Sequence, residues 1–255
     1  MSSILKLVAR LLLFIILPLF TNSQDLVGFL NSQAEIKNVT RIEGNDFFKA
    51  NYEIMIRQPL NHKDTTDGFF LQRVVVADKG FENPVVVITE GYNANYAVKP
   101  DYINELSPIL DANQICIEHR YFGKSVPKSL NWNYLTVENA ANDHHRIIQL
   151  LKRYYSSKWI STGISKGGQT AMSHRSFFPK DVDVTVAYVG PVNFAVEDGR
   201  HEPFIAKKAG TASQRKAVRD FQKEALKRKT QLLPLLKEFS EEKKYTYKMP
   251  LAEVF

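Results

Sequence analysis

Residues Trp159 to Gly168 read W-I-S-T-G-I-S-K-G-G, and this stretch decides the fold. Trp159 to Thr162 suits a strand. Lys166 to Phe177 reads as a helix that stops ahead of Pro179, because the residue before a proline is pushed out of the helical region. Between them stands Gly163-x-Ser165-x-Gly167, the pattern of a nucleophile elbow, in which a serine tips a sharp strand-to-helix turn and flanking glycines permit close backbone approach. At average glycine usage the bare pattern arises by chance roughly once in ten chains of this length. An ordinary glycine-rich turn needs neither a strand before it nor a helix after it, and here both are present.

Working outward, Pro84 to Thr89 (PVVVIT) and Gln114 to Glu118 (QICIE) are short apolar runs of the kind that strands buried on both faces produce. A helix is expected between them, around Pro100 to Leu110. Asn51 to Arg57 and Phe69 to Val76 are β-rich, and the turn formers of PLNHKDTTDG join them into an antiparallel hairpin. Val137, Ala140, Ala141, His144, Ile147, Ile148, Leu151 and Tyr155 recur at helical spacing, with Thr136 as N-cap and Glu138 in the first turn. Val182 to Val189 reads as a further strand. Strand, helix, strand, helix, strand predicts an α/β protein with a mostly parallel sheet and helices on both faces.

The chain has 255 residues, 44% hydrophobic and 24% charged, which excludes disordered, collagen-like and low-complexity architectures. A net charge of +7 permits contact with nucleic acid or anionic lipid without demanding it. From Ala206 to Tyr245 twelve cations face five anions in a helical pattern. That segment reads as a solvated helical face, since it lacks the regular interleaving of aromatics with cations on which bases stack. No nucleic-acid partner is expected. The single cysteine, Cys116, excludes an internal disulfide framework and any zinc site built from several thiolates, and is read as a buried small hydrophobe. No cofactor and no metal are expected.

The N-terminus reads as a secretory signal, residues 1–23. Lys6 and Arg10 precede the apolar run Leu11 to Phe20, and Thr21 and Ser23 set small residues before a cut at Gln24. Ten apolar residues fall short of the roughly 20 that span a bilayer, so the expectation is a secreted or periplasmic chain without stable membrane insertion.

Ser165 is the candidate nucleophile. An acyl-transfer serine needs donors for the oxyanion: one is the backbone N–H of Lys166, and the second is sought in the loop after PVVVIT, at Gly91 or Tyr92 of Glu90-Gly91-Tyr92-Asn93. The histidines are weaker candidates. His144 lies on the apolar stripe and reads as core, while His145 beside it should be exposed; adjacent helix positions do not face one point, which argues against a metal. His62 belongs to a turn, His119 to a structural polar network, and His174 should point away from the serine.

GISKGGQT, ITEGYNANY (Ile88 to Tyr96), IEHRYFGKS (Ile117 to Ser125) and YVGPVNFAVEDGRHEPF (Tyr188 to Phe204) together resemble serine peptidase family thirty-seven. These are secreted tripeptidyl aminopeptidases of α/β-hydrolase fold. The EHRYFG block is also similar to the prolyl carboxypeptidase and dipeptidyl peptidase seven relatives. The resemblance runs from about Tyr52 to the last residue. It implies a peptidase that removes di- or tripeptides from free N-termini, with Ser165 as nucleophile and with Glu90 and Asn93 beside the substrate, Glu90 pairing with its ammonium group. It further implies an α/β-hydrolase core over residues 24–192 and the start of a helical lid over 193–255. The triad acid and histidine of such enzymes follow the serine late in the chain. The expectation is therefore of an incomplete chain that ends before them. An esterase or lipase of the same fold, and an inert hydrolase-like binding protein, are the alternatives.

Overall fold

The computed structural model describes residues 25–247 and 249–254, so the expected signal segment lies outside the described residues. Contacts divide the chain into two units, Met1–Val192 and Asn193–Phe255.

The first unit runs α1 (Leu26–Ser32), β1 (Ile36–Ile42), β2 (Ala50–Pro59), β3 (Phe69–Asp78), β4 (Val85–Thr89), α2 (Leu106–Ile109), β5 (Asn113–Ile117), α3 (Val137–Leu151), β6 (Trp159–Ile164), α4 (Lys166–Phe177) and β7 (Val184–Tyr188). The strands form one open sheet in the order β1-β2-β3-β5-β4-β6-β7. The β5/β4, β4/β6 and β6/β7 pairs are parallel, while β1/β2, β2/β3 and β3/β5 are antiparallel. Only β1 and β3 therefore run against the other strands, as the mostly parallel expectation requires. The expected hairpin is β2/β3, in unbroken register from Ala50↔Asp78 to Pro59↔Phe69.

Period-2 alternation sorts the central strands onto two cores. Val74, Val76, Val85, Val87, Ile115 and Ile117 face one side, where Ile147, Ile148 and Leu151 of α3 and Leu26, Phe29 and Leu30 of α1 cover them. Val75, Val86, Ile88 and Cys116 face the other, against Ala94, Ala97 and Ala112. Cys116 is buried and free, as expected. Thr136 caps α3 by accepting the Asn139 N–H at 3.1 Å. Val137, placed on the apolar stripe by spacing alone, is instead 56% exposed, since it lies in the first turn.

The helix expected around Pro100 to Leu110 shrinks to the four residues of α2, preceded by a 3-10 turn at Asn95–Val98. Pro100 holds Lys99 extended. The Asn104 side chain takes the Leu106 N–H at 3.0 Å, offering the backbone a local alternative to a helical start.

The second unit is helical: α5 (His201–Lys207), α6 (Ala212–Lys227), α7 (Lys229–Glu242) and α8 (Leu251–Val254). Thr211 and Gln214 form a reciprocal capping box that starts α6.

Candidate active site

The order of the sheet locates the site before any side chain is considered. From β4 the chain crosses to β5 on one side, then returns to β6 on the other, so the loops leaving β4 and β6 diverge and open a crevice at their carboxyl ends. The elbow leaves β6, and the Glu90–Asn93 loop leaves β4.

Ser165 sits between β6 and α4 at φ 55° and ψ −120°, a conformation that costs a non-glycine residue energy. The glycines around it are sterically required. A Cβ on Gly163 would overlap the backbone of Gly167, and one on Gly167 would lie 2.6 Å from the Thr89 carbonyl oxygen. Thr89 Oγ1 donates towards the carbonyls of Thr162 (3.1 Å) and Gly167 (3.0 Å), tying the end of β4 to the elbow. The Ser165 N–H donates to the Tyr188 carbonyl at 3.0 Å, and its carbonyl accepts from Gln169 at 3.0 Å. The residue is exposed, and its Oγ makes no hydrogen bond among the described residues.

The neighbouring loop is held at several of its backbone and side-chain polar groups. Glu90 N–H donates to Ile117 (3.1 Å), Lys166 Nζ donates to the Gly91 carbonyl (2.5 Å), and His119 N–H donates to the Tyr92 carbonyl (3.1 Å). Asn93 Oδ1 accepts the Asn95 N–H at 3.2 Å, and Glu118 Oε1 accepts that of Ala94 at 3.0 Å. Among the described residues the N–H groups of Gly91, Tyr92 and Lys166 have no acceptor; the last is an orphan donor of a first helical turn. Tyr92 is 53% exposed and Asn93 is also exposed. Glu90 accepts a hydrogen bond from the Tyr96 hydroxyl. Burial raises its pKa, and the Glu118 charge adds to the rise, against the lowering effect of that hydrogen bond. Its carboxylate lines a cavity of about 420 Å³ shared with Tyr102, Glu105, Ile164 and Tyr188.

Four charged residues that sequence reasoning did not single out hold this site. Glu118, fully buried, accepts from Arg73 Nη2, from the N–H groups of Ala94 and Lys124 (2.9 Å), and from Ser125 Oγ (2.7 Å). Arg120 grips Asp143 through Nε (2.7 Å) and Nη2 (2.8 Å). Its remaining N–H groups reach the carbonyls of Pro59, Leu60 and Tyr134. Asp143 also bonds His62 Nε2 at 2.7 Å. The available signal was the charge-rich EHR run itself, placed at the end of an otherwise apolar strand.

His119 is buried, with Nδ1 on the Arg120 carbonyl at 2.9 Å, and burial together with the nearby Lys166 charge pushes its pKa down to about 4. His144 is fully buried, as the apolar stripe implied, and desolvation depresses its pKa to about 3. His145 differs from expectation. It is partly covered because Asp181 accepts from its Nδ1 (2.7 Å) and Phe178 stacks on the ring at 4.1 Å, both brought back by the loop after α4. His174 also bonds Asp181, through Nε2 at 2.9 Å. The histidine–carboxylate pairs among the described residues are thus His62–Asp143, His145–Asp181 and His174–Asp181, and none includes Ser165. No group of three or more metal-ligating side chains comes together among the described residues, and no helix of theirs is long and apolar enough to cross a membrane.

The sequence model of the PS-10 peptidase S37 family matches residues 30–251. The chain belongs to this family. This PS-10 peptidase S37 chain is 35% identical over 227 residues to the prolyl tri/tetrapeptidyl aminopeptidase of Streptomyces mobaraensis, a match covering 85% of the chain and 46% of that protein. It is 26% identical over 223 residues to the probable serine protease EDA2 of Arabidopsis thaliana, covering 77% and 44%. The chain therefore spans about half the length of the curated relatives it matches. Among solved structures, acetyl xylan esterase 1 from Thermoanaerobacterium sp. JW/SL YS485 is similar with a TM-score of 0.45 at 13% identity, over 76% of this chain and 63% of that one. The family is one of peptidases. In this chain the G-x-S-x-G turn follows β6, a strand paired in parallel on both sides within an open α/β sheet.

Proposed function

We propose that this PS-10 peptidase S37 member is an exported serine aminopeptidase that releases di- or tripeptides from free N-termini through an acyl-enzyme on Ser165. The observation that supports the reading is the strained, exposed Ser165 at the strand-to-helix turn, next in sequence or space to the N–H groups of Lys166, Gly91 and Tyr92, which have no acceptor among the described residues. In this reading Ser165 Oγ attacks the scissile carbonyl, its proton passes to a base, and the negative oxygen of the tetrahedral intermediate is met by the Lys166 N–H and by one from Gly91 or Tyr92. Collapse expels the amine and leaves the acyl group on Ser165, and water then releases it. Glu90 and Asn93 bind substrate, with Glu90 receiving the α-ammonium. A carboxylate whose pKa is raised by burial gains most from a cationic partner.

The discriminating experiment compares peptides with free and acetylated N-termini, alongside simple acyl esters. A charge pair in a partly desolvated site is worth on the order of 2–5 kcal/mol, so acetylation should remove at least about 30-fold of kcat/KM. Equal cleavage of blocked peptides or simple esters would favour an esterase. No turnover of either would favour an inert binding protein.

Export is part of the same proposal and rests on the Lys6, Arg10 and Leu11 to Phe20 pattern. Edman or mass-spectrometric sequencing of protein recovered outside the cytoplasm should find Gln24 at or near the N-terminus. A retained Met1 or Ser2 would count against it.

A further inference from the structure

The residue after the nucleophile contributes more than its amide. The aliphatic stem of Lys166 crosses from the elbow to the loop after β4, and its Nζ donates to the Gly91 carbonyl at 2.5 Å. On the way the ammonium lies 4.8 Å from the ring centroid of Tyr92 and 4.8 Å from that of Phe122. Those two rings meet edge to face at 5.2 Å. Gly91 has no Cβ because one would stand 2.5 Å from that of Lys166, so stem and loop are in direct contact. The side chain thus ties together three segments: the elbow, the Glu90–Asn93 loop and the Glu118–Ser125 loop that carries Phe122.

A peptide unit is planar and trans, so its C=O and N–H point in opposite directions. Anchoring the Gly91 carbonyl on Lys166 therefore also sets the direction of the Tyr92 N–H, which has no acceptor among the described residues. The Tyr92 carbonyl is fixed in turn by the His119 N–H. With its neighbouring carbonyls held, this donor has little freedom to turn.

We propose that Lys166 is a positioning residue: through its Nζ bond to Gly91 and its packing between Tyr92 and Phe122, it orients the Gly91–Tyr92 peptide as the second oxyanion donor. This rests on the reading of Ser165 as nucleophile. Unlike the usual role of the residue after such a serine, which lends only its backbone, the assignment gives the side chain a function. It also predicts that the character of this residue, a long stem with a terminal donor, matters to the rate.

The test measures fluorophosphonate labelling of the full chain over a concentration series, which separates the maximal inactivation rate from probe affinity. Lys166→Met keeps a stem between the rings and removes the donor; Lys166→Arg keeps both donor and charge; Ser165→Ala is the control. Misplacing an oxyanion donor by about 1 Å costs on the order of 10²-fold. Lys166→Met should accordingly lower the maximal rate 10- to 100-fold with probe affinity within twofold and an unchanged Tm, and Lys166→Arg should recover most of it. Backbone ¹⁵N relaxation supplies a readout that a charge effect alone would not move: the Tyr92 amide order parameter should fall from about 0.85 towards 0.6 in Lys166→Met and stay high in Lys166→Arg. An unchanged rate in Lys166→Met, or a slowed rate with a rigid Tyr92 amide, overturns the inference while leaving Ser165 in place. Labelling that persists in Ser165→Ala removes the nucleophile reading and this inference with it; where the unmutated chain is not labelled, a Tyr92 amide that stays rigid in Lys166→Met overturns the inference on its own.

Discussion

With an activating base in place, Ser165→Ala should lower peptide turnover by on the order of 10⁴-fold or more and abolish covalent labelling by a fluorophosphonate. In serine hydrolases, removing the nucleophile leaves only what the oxyanion donors and substrate binding provide. The substitution should leave folding almost untouched, because the side chain makes no hydrogen bond among the described residues and alanine is as strained as serine at a φ of 55°. Ser165→Gly separates the two roles. It should be equally inactive yet somewhat more stable, since glycine carries no steric penalty at positive φ. Thermal unfolding of the three proteins beside their turnover and labelling checks both halves. Turnover retained by either variant would move the chemistry away from the elbow.

Arg120→Met should be the most destabilising of the substitutions considered, at about 3–5 kcal/mol in urea denaturation, because it strands the Asp143 carboxylate in the interior. Both side chains are fully buried, and Arg120 spends its donors on Asp143 and three carbonyls, which methionine leaves unmet. Arg120→Lys should recover less than half of the loss, as one ammonium cannot reproduce the planar fork. The pH dependence identifies the cause. Burial alone would raise the Asp143 pKa, but the Arg120 charge and the hydrogen bonds from Arg120 and His62 outweigh it and hold the carboxyl below its usual value. A lowered carboxyl contributes stability above the unfolded pKa of about 3.9 and loses it as pH falls through the folded value. The gap between Arg120→Met and the unmutated protein should therefore be widest near neutrality and narrow as pH falls past the unfolded pKa of about 3.9 towards the lowered folded value, through which Asp143 is protonated in the folded protein. A gap independent of pH would mean that lost packing, not the stranded charge, sets the cost.

Much of this architecture was legible because it rests on local pattern. The elbow, α3, α4, the hairpin and the central strands each carry a period, a cap or a glycine whose physics is short-range. Residues 36–42 were not legible: β1 alternates poorly, with a bulge between Ile36 and Asn38, so period-2 reasoning finds no strand there. The charged cluster was illegible for a different reason. Arg120 joins Asp143, 23 residues on, and the carbonyls of Pro59 and Leu60, about sixty residues back; no spacing rule reaches that far. His145 was misplaced likewise, since its cover, Asp181 and Phe178, arrives from beyond the next helix. Ser165 is proposed from the G-x-S-x-G motif, and Gly91 and Tyr92 from the place of their loop after PVVVIT; the motif treats position 166 as variable and gives no reason to weigh the Lys166 side chain.

The hydrogen bond from the Ser165 amide to the Tyr188 carbonyl has a consequence for how the protein is made. The acceptor lies 23 residues after the serine, at the end of β7, and Gly168 packs with so little room that an added Cβ would stand 2.8 Å from the same oxygen. A ribosome adding roughly 5–20 residues each second delivers Ser165 a second or more before Tyr188. During that interval the serine amide lacks its acceptor, and the relaxed backbone at negative φ is favoured. The strained geometry at Ser165 is thus expected only after the strand beyond it has docked, so a nascent chain should carry its serine for some time before it carries an elbow.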